Sequence, residues 1–394
     1  MKSATGAPGR LYYLDWIRVL AMFCIFLFHN ARFFDGVADW HVKNATANLA
    51  ATFAVGTISQ FIMPLFFLVA GAGTFLALKA RSPGQYALER ALRLFIPLVF
   101  GMLVIVVPQA YFQAIFRGTV LEGYNLFQIY GLYLQSLPEM NWFHLWFLKN
   151  LFIISLVAIP FLFSWGRGGR SLVARLSSFF DKPWTLLPLL VAAIAAVNIF
   201  LYPGGFWGHR GDGAWNFVTY VLFFILGYLI FANPGILKLV QKMRWIGLGV
   251  ALISVCCMII FFFEELASPA EYFGSPAFAI ATLVQALDVW GWLIAIVGFG
   301  SRYLNRNNRF LAYANEAVLP FYILHQTLII TIGYYVVQWS AGVGLKYLTI
   351  SVTSFIGIML IYELLVRRLD VLRFLFGMRL RRRPRPIPVS AAQN

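Results

Sequence analysis

The chain has 394 residues, 61% of them hydrophobic and 12% charged, about half the charge of an average soluble domain. That excludes a water-soluble globule, because the charges are too few to coat a surface and the apolar residues too many for one core. The 31 Lys+Arg against 15 Asp+Glu leave a net charge of +16, which in a chain solvated by a bilayer is read by position, as topology and anionic-lipid contact, with no need for nucleic acid.

Ten apolar runs are long enough to cross about 30 Å of hydrocarbon as helices: 14–34, 54–78, 94–116, 145–164, 184–202, 216–232, 246–263, 276–299, 314–337 and 347–366. The expectation is an all-α polytopic membrane protein, a bundle of about ten transmembrane helices within residues 1–370, followed by a basic, disordered cytoplasmic tail over 371–394. Asp15 and Arg18 interrupt the head of the first run and no small-residue cleavage site follows it, so it reads as a retained helix and not a signal peptide. With the N-terminus inside, 25 of the 31 basic residues lie on the inner side, and the positive-inside rule places both termini in the cytoplasm. The outer loops then collect Asp35, Asp39, Glu122, Glu139, Asp212, Glu264, Glu265 and Glu271. The longest of them, 117–140, is too broken by polar residues to span and reads as an interfacial or re-entrant helix. Cys24, Cys256 and Cys257 all sit in apolar runs, so neither a disulfide framework nor a metal site is expected.

An ionisable side chain inside a span costs about 2.5–3.5 kcal/mol on insertion scales, so each is a functional candidate. The first run holds Asp15, Arg18 and His29. Arg18 and His29 are three helical turns plus about 20° apart, about 16 Å of rise, and so share a stripe; Asp15 is within ion-pair reach of Arg18. Taken singly, Arg18 also fits a snorkelling anchor and His29 an interhelical hydrogen-bond partner. In LERALRLFIP, Arg90 and Arg93 project side by side at i and i+3, two guanidinium forks suited to the phosphates of a soluble anion or, more plainly, to topology anchoring. Pro97 is expected to kink the third run. His144 lies between Trp142 and Trp146, where an aromatic belt also explains the tryptophans. Asp288 and His325, deep in the eighth and ninth runs, need a partner or a water-filled cavity. Glu316 and Glu363 read as structural, within reach of Arg309 and Arg367.

The segments YLDWIRVLAMFCIFLFH, RALR, HLWFL and FYILHQ, in that order, resemble the membrane-bound acyltransferase 3 family over about residues 11–370, and within it the branch that succinylates periplasmic glucans. The resemblance implies a multi-pass protein of the bacterial inner membrane. Its activity would be O-acyl transfer: an acetyl, succinyl or similar group moves from a cytoplasmic acyl-CoA donor to a hydroxyl of a periplasmic or surface glycan or lipid-linked sugar. Arg18 and His29 match the family's pair on the first helix, and Arg90 and Arg93 its donor-binding arginines. The partners implied are acyl-CoA as a substrate, with no tightly bound cofactor, the sugar acceptor and membrane lipids; self-association is left open. On this reading His29 is a general base on the acceptor hydroxyl or a transient acyl carrier, oriented by Asp288 or His325. Acceptor recognition is expected from outer-loop aromatics, Trp40, Tyr124, Tyr130, Tyr133, Trp142, Trp207, Trp215 and Tyr272, which an aromatic belt would equally contain. The rival is a sugar or lipid transporter with the same intramembrane Arg, His and Asp as a relay, which predicts inverted repeats; the sequence displays none.

Overall fold

The computed structural model describes residues 10–37, 39–119, 124, 126–135, 142–162, 182–201, 215–267 and 275–381, and all regular structure among them is helical. Helix α1 (Tyr12–Ala31) carries Asp15, Arg18 and His29. The loop after it folds around a buried carboxylate: Asp35 receives Arg32 at 2.8 Å and Lys43 at 3.0 Å. Asn48 then caps α2 (Leu49–Ala80) by accepting the Ala51 amide. Pro64 inside α2 leaves the Gln60 carbonyl without its helical donor, and the Trp215 indole supplies one at 2.8 Å.

A capping box of Ser82 and Gln85 starts α3 (Pro83–Arg90). The chain continues through a π turn (Ala91–Phe95), α4 (Ile96–Phe100), a second π turn (Gly101–Ile105) and α5 (Val107–Phe116). The expected kink is displaced. A wide turn precedes Pro97, whereas the 44° bend lies at Val106, ahead of Pro108. Carbonyls freed there are taken up by side chains, Met102 O by the Tyr133 hydroxyl at 2.6 Å and Ile105 O by Thr327 at 2.9 Å. Tyr133 belongs to α6 (Leu126–Gln135), the helical part of the long loop.

The rest comprises α7 (Trp146–Val157), entered through a 3-10 turn at Phe143–Leu145, α8 (Pro183–Leu201) and α9 (Phe217–Ala232). Next come α10 (Pro234–Lys242), turned 102° from α9, α11 (Arg244–Ala267), α12 (Pro276–Tyr303) and α13 (Arg309–Val336). Helix α14 (Val343–Ile361) runs into a third π turn, Tyr362–Val366, and α15 (Asp370–Leu375) follows. Residues 371–381, expected as the start of a disordered tail, thus include a helix with Arg373 and Phe376 buried against the bundle; 382–394 lie outside the described residues.

Six of these helices are long and apolar enough to cross a membrane, or eight when each bent pair, α3–α5 and α9–α10, counts as one span. The other two expected spans fall on shorter apolar helices, Phe143–Val157 and Arg244–Met258. The stretch that would lengthen the first, 163–181, and the side chains of 259–267 in the second are not described.

Small residues let the helices close up without a hydrophobic driving force between them. A Cβ on Gly71 would stand 1.9 Å from the Phe224 carbonyl, and one on Gly227 2.1 Å from the Leu68 carbonyl, so α2 and α9 cross backbone to backbone. Helix α1 packs against α2 and α13, and α13 against α5 and α14. The charged stripe of α1 therefore faces protein.

Candidate functional site

Four of the chain's five histidines meet at one end of α1; the fifth, His209, is outside the described residues. His29 Nδ1 lies 3.0 Å from His325 Nε2, and His325 Nδ1 lies 2.5 Å from the Tyr322 carbonyl. A carbonyl only accepts, so His325 holds its proton on Nδ1 and offers the lone pair of Nε2. His29 must then donate from Nδ1. Its Nε2 is left as a free lone pair on a half-buried ring, with no hydrogen-bond partner among the described residues. The Trp40 ring lies parallel over the His29 imidazole, 6.0 Å between centroids.

His144, buried at the entry to α7, donates Nε2 to the Ile323 carbonyl at 3.1 Å, and its own carbonyl accepts the Tyr322 hydroxyl. Its ring sits 5.2 Å from that of His325, and its Nδ1 has no partner. His144 is 5% exposed and Trp146 is buried with it, while Trp142 is partly exposed.

The fourth histidine, His41, comes from the loop after α1. It donates Nδ1 to the Gln113 side-chain oxygen and accepts, at Nε2, from Gln326 at 2.8 Å and Gln109 at 3.3 Å. Burial, reinforced by Arg117 and Arg32 and only partly opposed by the bond to Gln113, pulls its pKa down to about 4, so the ring is neutral in this role. Gln109 and Gln113 stand one turn apart on α5, aimed here by the bend at Val106. One buried acceptor without a partner also lies at the cluster, Gln109 Oε1 beside His41. Lone pairs with no donor are what a hydroxyl-bearing ligand would satisfy. Among the described residues no three His, Cys, Asp or Glu side chains converge as metal ligands.

The other end of α1 is cationic. Arg18 contacts Asp15 at 3.6 Å and donates to Asn315 on α13 at 3.2 Å, while Asp15 also takes Arg10 at 2.8 Å. Arg90 and Arg93 are close enough to act on Arg18 electrostatically. Arg93 pairs with Glu89 at 3.3 Å, and Glu89 is shared with Arg81 at 2.7 Å; Arg90 lies 4.7 Å over the Tyr86 ring and reaches Thr74 at 3.4 Å. Four guanidiniums thus share two carboxylates, and Arg90 makes a fifth with an ion pair to neither.

Three expectations change. Asp288 is fully buried in α12, with the Trp292 indole beside it at a geometry that completes no hydrogen bond. It makes no bond to the histidines; His325 alone of the two orienting candidates touches His29. Glu316 pairs with Arg373 at 2.8 Å, not with Arg309, while Glu363 does hold Arg367 at 3.0 Å. Of the candidate sugar-stacking rings, Trp215 and Tyr133 are buried and spent on backbone carbonyls, Trp40 caps His29, and Trp207 and Tyr272 lie outside the described residues.

A family model described as an acyltransferase domain matches residues 11–363. Curated relatives named Glucans biosynthesis protein C, from Salmonella paratyphi A and Salmonella agona, are each 27% identical over 391 residues, spanning 95% of this chain and 96% of theirs. One of the same name from Salmonella heidelberg is 26% identical over the same span. No solved structure matches the chain.

Proposed function

Since the chain belongs to the membrane-bound acyltransferase 3 family and is a multi-pass membrane acyltransferase, we propose that it takes an acyl group from acyl-CoA at the arginine end of α1 and delivers it to a glycan hydroxyl at the histidine end. The observation that carries this reading is the free Nε2 lone pair of His29, left by a chain of hydrogen bonds that begins at the Tyr322 carbonyl.

The donor's phosphates dock on Arg18, Arg90 and Arg93, whose mutual repulsion an anion relieves. The pantetheine arm runs along α1, over about the 16 Å that separates the levels of Arg18 and His29. The acceptor hydroxyl gives its proton to His29 Nε2 while its oxygen attacks the thioester carbonyl. As the carbon–sulfur bond breaks, the imidazolium returns the proton to the departing thiolate, leaving an ester and free CoA. His325 orients His29 and shares the positive charge that forms. The glycan acceptor is inferred from the relatives' name, Glucans biosynthesis protein C, and from the lone pairs of His29 Nε2 and Gln109 Oε1 that have no donor. The transporter reading has no comparable support.

With the donor end at the basic side, the arginine end and both termini face the cytoplasm of the inner membrane. In a variant without native cysteines, single cysteines at Ser82 and Asn308 should be shielded from an impermeant thiol reagent in intact cells, and one at Gly211 should react; the opposite pattern inverts the assignment. Purified protein given labelled acyl-CoA should consume thioester only when a glucan acceptor is added. Failure to do so across acetyl, succinyl and longer donors would sink the transfer reading.

A further inference from the structure

A second cationic feature lies beyond the α1 site. Where α13, the Tyr362–Val366 turn and α15 meet, an open cavity of about 480 Å³ is lined by Glu316, Glu363, Arg367, Arg368, Arg373 and Arg381. Its size is in the range of small-molecule sites. The two carboxylates are already committed. Glu363 takes both bonds of Arg367, at 3.0 and 3.1 Å, and the Tyr313 hydroxyl at 2.6 Å. Glu316 takes Arg373, whose buried guanidinium is further used on the Arg379 and Arg367 carbonyls. Arg368 and Arg381 bond only to backbone carbonyls, of Glu363 and Arg367. Among the described residues neither has a carboxylate partner, and both are exposed. Four guanidiniums thus face two carboxylates in the cavity lining, an excess of two positive charges, and the forks of Arg368 and Arg381 keep free donors.

This cavity adjoins the arginine end of α1. Gly377, at φ +69°, passes so close to the first π turn that a Cβ there would lie 2.9 Å from the Arg93 carbonyl, and Arg379 acts electrostatically on Arg93. Arg373 holds the segment in that position.

We propose that the cavity is a phosphate site in which Arg368 and Arg381 grip a phosphate group, supplied either by the nucleotide end of the acyl-CoA donor or by a phospholipid headgroup. Only the nucleotide source rests on the donor reading above. The site is walled by residues 370–381, so this segment is part of the binding machinery and not a topology signal alone. Two planar forks suit phosphate oxygens bidentately.

The test uses the full-length protein and the doubly substituted Arg368→Gln, Arg381→Gln variant; both positions are exposed and outside the ion pairs, and thermal unfolding checks that the variant is folded. In nanodiscs of phosphatidylcholine, CoA and 3′-dephospho-CoA are titrated separately. A preference of wild type for CoA of about tenfold, lost in the variant while 3′-dephospho-CoA binds both alike, assigns the site to the nucleotide. No such preference, but phosphatidylglycerol retained by wild type and not by the variant in native mass spectrometry after extraction from mixed bilayers, assigns it to lipid. Loss of neither CoA preference nor lipid retention in the variant overturns the proposal. If wild type binds neither nucleotide, the donor reading fails by itself and the lipid measurement still decides the cavity.

Discussion

The two ends of α1 solve opposite problems. At the histidine end, four imidazoles, three glutamines and backbone carbonyls interlock with no formal charge, and ring tautomers are dictated by what each nitrogen faces. At the arginine end, guanidiniums outnumber their carboxylates, and the Arg18 and Arg93 side chains are 37% and 39% exposed. A group that performs proton transfer needs its orientation fixed before the substrate arrives, because reorganisation during the reaction raises the barrier. A site that captures a soluble anion gains by keeping charge uncompensated until the anion binds. One helix thus joins a preorganised end to an unsatisfied one.

Separating the two ends by mutation is the most direct way to break this comparison. General-base catalysis contributes typically 10²–10⁴ in rate, so His29→Ala should lower turnover by about that factor while donor affinity, read by equilibrium binding of CoA, stays at the wild-type value. A folded variant that turns over at the wild-type rate would move the role to His144, whose Nδ1 is the other unpartnered imidazole nitrogen. The acyl-carrier alternative is read separately: hydroxylamine should trap no acyl group on wild type before acceptor is added.

The converse substitution acts at the charged end. Loss of a charge-assisted hydrogen bond costs about 1.5–3 kcal/mol, so Arg93→Ala should weaken CoA binding by roughly tenfold to a hundredfold, and Arg90→Ala, Arg93→Ala by more. Lysine at 93 should rescue only in part, because it lacks the planar fork. Unchanged affinity in the double variant would reduce the pair to positive-inside anchors.

His325 offers a finer cut within the histidine end. In the proposed mechanism its contribution is orientation through one neutral hydrogen bond, worth about 0.5–1.5 kcal/mol. His325→Gln should therefore lower kcat by roughly twofold to tenfold and leave KM for the donor unchanged. A structural role alone would instead reduce thermal stability without that split.

Much of this arrangement is legible in the sequence, for a physical reason. Charges and histidines in apolar runs are expensive, so Asp15, Arg18, His29 and His325 stand out, and helical spacing puts Arg18 and His29 on one stripe. What spacing cannot give is which helix faces which. Asp288 is as costly as His325, yet it points at Trp292 and not at His29. The partner of Glu316 comes from α15, in a stretch whose composition reads as tail. His41 escapes notice because it lies in a loop, where a histidine carries no insertion cost. The signals that would have found it are the scarcity of histidine, five in 394 residues, its adjacency to Trp40, and the amide pair Gln109 and Gln113 at i and i+4 in an otherwise apolar helix. The π turns and the bend at Val106 leave no mark in hydropathy at all.

His41 yields the smallest expected effect and the sharpest statement about how the uncharged end is kept uncharged. Its pKa is near 4 in the folded protein against about 6.5 in an unfolded chain. Between those values the unfolded state binds the proton and the folded state does not, so stability is full above pH 6.5 and falls as pH drops toward 4. One group contributes at most one proton to that slope, about 1.4 kcal/mol per pH unit. The other buried histidines add their own terms, so the comparison must be made against a variant that removes only this one. In His41→Gln, thermal unfolding followed from pH 7 to pH 4.5 should show a shallower decline than wild type, whatever the absolute stability. Because Gln109, Gln113 and Gln326 converge on this ring from two helices, its protonation sets Nε2–H against two amide N–H donors, and acid should loosen α5 from α13 before the arginine end responds. Parallel curves for the two proteins would mean that His41 titrates alike in both states and that the amide cluster does not hold it neutral.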